Sequence, residues 1–324
     1  MTRSWSSASW TGIGPMPGDD VLWATRIAFE TCPSLPFVPW LPNAGTVGCD
    51  FAGRGAALLV DLHVDLQPSG WRLVPRPGVD ERRARDGVRR SLDALEEAAG
   101  QWVGPVKVSA PGPWSLGATV ELARGEKVLA DAGAARDLAG ALAEGVAAHV
   151  AAVRRAVPAV TDVVVQIDEP LLALVLAGRI KTQSGWSAHP AVDAPVAEEL
   201  LALVVAAGGA HAGVRVARAG PVPVGVVQRA GAAWLGYDVV ADDTGVDLDA
   251  LGDAVDAGLA LFLGVDDPDP AITLWSHLGF AREQLPDTVV VTPPDGLERT
   301  APSAAERALR RAGELADDLA QRSV

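Results

Sequence analysis

The stretch Val163-Val164-Val165-Gln166-Ile167-Asp168-Glu169-Pro170 sets a continuous β-branched run directly against two acids and a proline. Such a run suits a strand buried on both faces, as in a parallel sheet covered by helices, and its polar end marks where the chain leaves the sheet. Comparable runs lie on both sides. Strands are expected at residues 9–14, 35–40, 103–110, 162–168, 211–217, 233–239, 260–265 and 288–292. Helical periodicity fills the intervals at 19–31, 80–100, 131–157, 193–207, 222–230, 247–257, 270–284 and 303–322. Several of these open on start signals: Asp80, Asp193 ahead of Pro195, and Ser303 with Glu306 three residues on. Eight strands alternating with eight helices predict an α/β fold, a (β/α)8 TIM barrel forming a single domain over residues 1–324.

Residues 42–77 interrupt the alternation with several glycines, a period-two run at 60–66 and the turn-forming Gln67-Pro68-Ser69-Gly70-Trp71. They read as an elaborated loop after the second strand, carrying a hairpin. A doubly wound dinucleotide fold would need Gly-x-Gly-x-x-Gly after a strand; Gly12-Ile13-Gly14-Pro15-Met16-Pro17 puts proline in the third glycine position.

The 324 residues are 49% hydrophobic and 21% charged, enough to bury a large core. Forty-one acids against 27 bases give a net charge of −14, which excludes a basic face for nucleic acid. The first ten residues lack an apolar signal core, and the longest apolar stretch, 200–214, is broken by Gly208, Gly209 and His211. No membrane span is expected, and the cytoplasm is the expected location. Cys32 and Cys49 are the only cysteines, so a disulfide framework and a Cys-x-x-Cys site are both excluded. With His63 they match no standard metal spacing and read as reduced structural thiols.

In a (β/α)8 barrel the chemistry sits where strands end, so the polar residues there are the candidates. They are Asp168 and Glu169, Arg215, Asp238, Asp266 with Asp267, and Asp295. Asp168 and Glu169 could cap the following helix with Pro170 at its first position; leaving so apolar a strand, both are expected at the catalytic rim. Asp266, Asp267 and Asp269 fit local turn bonding. Trp114 could stack on a flat ligand or wedge its loop against a helix. Arg54 and Arg72 read either as solvated loop charges or as anchors for an anionic substrate, the former favoured because nothing fixes their direction, and His63, His149, His211 and His277 as neither acids, bases nor ligands.

Taken in order, Thr11-Gly12-Ile13-Gly14-Pro15-Met16-Pro17-Gly18, Gly112-Pro113-Trp114-Ser115, Gln166-Ile167-Asp168-Glu169-Pro170 and Pro294-Asp295-Gly296-Leu297 resemble the catalytic C-terminal barrel of cobalamin-independent methionine synthase. The likeness runs over nearly the whole chain, is greatest to the short, single-barrel actinobacterial branch, and is most specific at Gln-Ile-Asp-Glu-Pro. It implies a barrel in which zinc holds homocysteine as a thiolate that takes the methyl group of 5-methyltetrahydrofolate. It also implies that Ile13, Gly14, Pro15 and Asp168 grip the amino acid, with Asp168 on its ammonium group and Trp114 on the pterin side. Pro15 stands where the family has serine, removing a hydroxyl and an N–H.

The resemblance places the family's zinc ligands at Arg215, Ala217, Asp238 and Asp295, and no cysteine follows Cys49. Zinc, the family's metal, is therefore expected to be absent, and no other cofactor is assigned. In one account Arg215 supplies the positive charge and leaves a non-catalytic binding or regulatory barrel for a small amino acid or folate. In the other, Asp238, Asp295 and Asp266 recruit Mg2+ or Mn2+ for different chemistry. An arginine among the ligands repels a cation, which favours the first.

Overall fold

The computed structural model describes residues 4–217, 219–240 and 245–323. Its elements run α1 (Val21–Thr31), α2 (Phe51–Leu58), β1 (His63–Gln67), β2 (Gly70–Val74), α3 (Val79–Ala99), β3 (Gly104–Pro111), α4 (Pro113–Gly117), α5 (Ala132–Ala156), β4 (Val160–Glu169) and α6 (Leu172–Leu176). They continue with α7 (Ala194–Gly208), β5 (Gly213–Val216), α8 (Val224–Arg229), β6 (Trp234–Asp238), α9 (Leu248–Asp256), β7 (Ala260–Gly264), α10 (Asp269–Leu278), α11 (Leu285–Thr288), β8 (Val289–Thr292) and α12 (Pro302–Gln321).

Strands β3 to β8 form one six-stranded parallel sheet in sequence order, each joined to the next through helix. The expected strands at 9–14 and 35–40 are not continuous ladders. They make isolated parallel bridges, Trp10 to Val291 of β8, Phe37 to Lys107 of β3, and Pro15 to Trp40 between the two segments. The backbone bonds are good where they form: Thr11 N to Val291 O is 3.0 Å, Val38 N to Lys107 O 2.8 Å and Trp40 N to Gly14 O 3.0 Å. Pro36 and Pro39 explain the interruption of the 35–40 segment, since neither has an N–H to donate.

Side-chain parity divides the sheet. Val163, Val165 and Ile167 of β4, with Val106, Val108, Val214, Leu235 and Leu261, belong to the large core under the helices. Val164, Trp234, Phe262 and Val290 belong to a separate cluster on the concave face, where Trp5 also packs. Trp234 stacks on Phe262 with ring centroids 4.0 Å apart, and Trp5 meets Phe262 edge-on at 5.2 Å. Gly213 makes room for this floor: a Cβ there would lie 2.1 Å from the Trp234 ring.

The insertion holds the expected hairpin, β1 antiparallel to β2 and closed at Gln67–Gly70, together with a helix, α2, that sequence periodicity missed. Asp50 caps α2, its carboxylate accepting from Gly53 N at 2.9 Å. Of the expected start signals, Asp193 precedes α7, whereas α3 and α12 begin after Gly78 and Ala301. No helix among the described residues is long and apolar enough to cross a membrane.

Candidate functional site

The concave face turns polar toward the carboxyl ends of the strands. Two residues above Val164 comes Gln166, and two above that Asp168, so both point to the same side. The Gln166 amide donates to Asp168 Oδ1 and to the Ile13 carbonyl, each at 2.6 Å, and its Oε1 accepts from Lys107 Nζ at 2.8 Å. Lys107 and Gln166 are fully buried; Asp168 is half-exposed. Burial pushes the Asp168 carboxyl above its ordinary range, against the opposing charges of Arg54, Lys107 and Arg215. The same burial pushes Lys107 down, with Asp168 opposing.

On the far side Arg215, nearly buried, reaches Asp238 Oδ1 at 2.5 Å and Asp295 Oδ1 at 2.9 Å through Nη2. Asp238 Oδ2 also accepts from the Asp295 backbone N at 2.9 Å. Burial disfavours the Arg215 charge, but Asp295 and Asp238 outweigh it and its pKa lies above the usual value. Gly264 permits the approach: a Cβ there would meet Asp238 Oδ1 at 2.0 Å. Arg215, Ala217, Asp238 and Asp295 thus hold a guanidinium between two carboxylates, beside an alanine. Among the described residues no three His, Cys, Asp or Glu side chains are grouped to hold a metal ion.

Between these clusters opens a cleft of about 360 Å³ lined by Ile13, Pro15, Trp40, Asp168, Arg215 and Asp295, among others. Ala217 also lines it; Asp238 stands behind Arg215. Gly14 is buried beneath it with φ +117°, beside the Trp40 indole.

Two expected site residues stand elsewhere. Glu169, one residue past Asp168, faces the opposite side of the sheet and is fully buried. It accepts from the backbone N–H groups of Trp114 and Ser115 at 2.8 Å each and from Ser115 Oγ at 2.6 Å, capping α4 after the neighbouring strand. Burial pushes its carboxyl up to about 7, with the Ser115 and Trp114 hydrogen bonds opposing. Trp114 is buried in α4, its indole N–H donating to Ala197 O of α7 at 2.9 Å; of its two readings, the wedge describes its position. The aromatic wall of the cleft is instead Trp40, over which the Arg54 guanidinium lies 4.4 Å from the ring centre. Arg54 is no solvated loop charge: burial lowers it to about 10, and Nη2 donates to Ser109 O at 2.7 Å. Arg72 pairs with buried Glu121 at 2.7 Å.

The parity of Gln166 and Asp168 was legible as a spacing of two, and the same rule places Glu169 outward. Lys107 and Arg54 carried no comparable signal, because their partners are 59 and 55 residues away in sequence, and Trp40 meets its bridge partner Pro15 25 residues back.

No protein-family model and no curated protein matches the chain. Solved structures do. The B12-independent methionine synthase from Shewanella sp. W3-18-1, in complex with selenomethionine, matches with TM-score 0.56 and 9% identity over 98% of this chain and 99% of that one. A candidate vitamin-B12-independent methionine synthase from Listeria monocytogenes matches with TM-score 0.52 and 13% identity over the same shares of the two chains. At these identities the likeness is one of fold: the chain shares the architecture of cobalamin-independent methionine synthase structures.

Proposed function

We propose that the chain is a methionine synthase-like (β/α)8 barrel whose mouth binds a small amino acid without a zinc centre. In this reading the bridged segments 9–14 and 35–40 act as the first two strands, and the whole chain is one barrel domain. The observation that carries the reading is the convergence of Ile13, Pro15 and Asp168 on one cleft, with Gln166 tying Asp168 to the Ile13 carbonyl. Asp168 is the acceptor for the ligand's ammonium group: Gln166 holds Oδ1, leaving Oδ2 for the cleft. A volume of about 360 Å³ suits a ligand of amino-acid size.

Zinc–thiolate chemistry does not fit the donor set. Arg215 lies between the two carboxylates, Asp238 and Asp295, and a fixed positive charge there opposes metal entry. Methyl transfer activated by a metal-bound thiolate is therefore not assigned to this mouth, and the protein acts as a binding or regulatory barrel.

Calorimetric titration with methionine, homocysteine and 5-methyltetrahydrofolate, alongside metal analysis after dialysis, tests this directly. Binding of an amino acid is expected, weakened about tenfold or more in Asp168→Asn, where a charge-assisted bond becomes a neutral one. Zinc is expected well below one per chain. No heat with any of the three ligands, or near-stoichiometric zinc, would overturn the proposal.

A further inference from the structure

Arg54 presents a charge without a partner. Its Nη2 is committed to Ser109, but Nη1 is buried with no hydrogen-bond acceptor, and no carboxylate among the described residues pairs with the side chain. In a chain with 41 acids, the lack of a paired carboxylate at a buried guanidinium is informative. Buried charges are ordinarily compensated, because removing an ion from water without a partner strongly disfavours its charged form. Asp168 acts on Arg54 only through space.

Arg54 borders a second cavity, about 330 Å³, between residues 41–49 and α3. Trp40 forms the partition, lining this cavity and the mouth cleft alike. Arg90, exposed on α3 and without an ion-pair partner among the described residues, adds a second positive charge at the rim. Ser91 and Thr46 contribute hydroxyls, and Asp19 is the acid on the rim.

We propose that this cavity is a second binding site, separate from the mouth, for the oxyanion group of a small molecule, a carboxylate or a phosphate, received by Arg54, whose Nη1 is closed to solvent in this structure and turns toward the cavity on binding, and steered by Arg90. Guanidinium groups match both oxyanions by geometry, and the cation–π contact with the Trp40 ring, 4.4 Å from its centre, keeps the Arg54 head group at the partition. The site does not rest on the amino-acid reading of the mouth, since neither Arg54 nor Arg90 lines that cleft.

Cys49 supplies a native reporter. It lines the cavity and is partly exposed, whereas Cys32 is fully buried with its thiol pushed up to about 12 by burial, so alkylation is confined to Cys49. The experiment follows iodoacetamide modification of Cys49 with inorganic phosphate, succinate or chloride at matched ionic strength. Phosphate or succinate is expected to slow modification roughly threefold or more at millimolar concentration, chloride not at all, and Arg54→Met is expected to abolish the protection. The more effective of the two anions identifies the source of the group. Protection by neither anion, or equal protection in a folded Arg54→Met, would overturn the proposal.

A second measurement needs no Arg54 variant. An anionic thiosulfonate reagent should modify Cys49 faster than a cationic one, despite the net charge of −14, and Arg90→Glu should narrow that ratio. A faster cationic reagent in the unaltered protein would also overturn the proposal.

Discussion

His149, on α5, sits beside Leu58, Val88 and Ser109, facing the same arginine that borders the second cavity. Burial pushes its imidazole down to about 4, and the Arg54 charge adds to the effect. Between pH 6.5 and 4 the unfolded chain binds a proton that the folded chain refuses, so stability rises with pH across that window and is lost as pH falls through it. Urea unfolding should show this acid limb in the parent protein and a flatter one in His149→Gln; identical slopes would mean the imidazole is solvated. Gln166 works at the same scale by a different route. One amide joins Lys107, Asp168 and the Ile13 carbonyl, so a spacing of two residues on one strand fixes a carboxylate at the mouth and a neighbouring segment beneath it.

At the scale of elements, β4 serves two neighbours at once. Its concave side carries the site, while Glu169 on its other side holds the start of α4 through two backbone N–H groups and a hydroxyl. Ser115 then passes the connection on, its Oγ accepting from Leu171 N ahead of α6 at 2.9 Å. Removing the carboxylate leaves buried donors unmet, each worth about 1–3 kcal/mol. Glu169→Ala should therefore lower unfolding free energy by roughly 3 kcal/mol in chemical denaturation, with Glu169→Gln losing less. A loss within about 0.5 kcal/mol would place Glu169 outside the core of the fold. The sequence signal for this role was alternation itself: two adjacent acids on a strand cannot face the same way.

For the molecule as a whole, the point at issue is how the sheet's two edges are managed. Segments 9–14 and 35–40 lie on β8 and β3 and meet each other, yet make only isolated bridges, with Pro36 and Pro39 interrupting the second. If they close the sheet, the amides of Thr11, Val38 and Trp40 should exchange with solvent only by global unfolding, as slowly as those of β4. Exchange of these amides at the rate of exposed loops would show an open edge instead.

Local pattern was enough to specify the parallel sheet from β3 to β8, the hairpin in the insertion, and the placement of Asp168, Arg215, Asp238 and Asp295 at or just past strand ends. Those features follow from periods of two and 3.6 and from turn chemistry, which are local and written in neighbouring residues. Tertiary structure alone decided that Arg54 from α2 stacks on Trp40, that Lys107 reaches Gln166, that Trp114 turns onto α7, and that Arg215 bridges Asp238 and Asp295. Each joins residues brought together only when the sheet curls. Their energies depend on burial, which raises the cost of any unpaired charge and so selects the partners that local pattern does not specify.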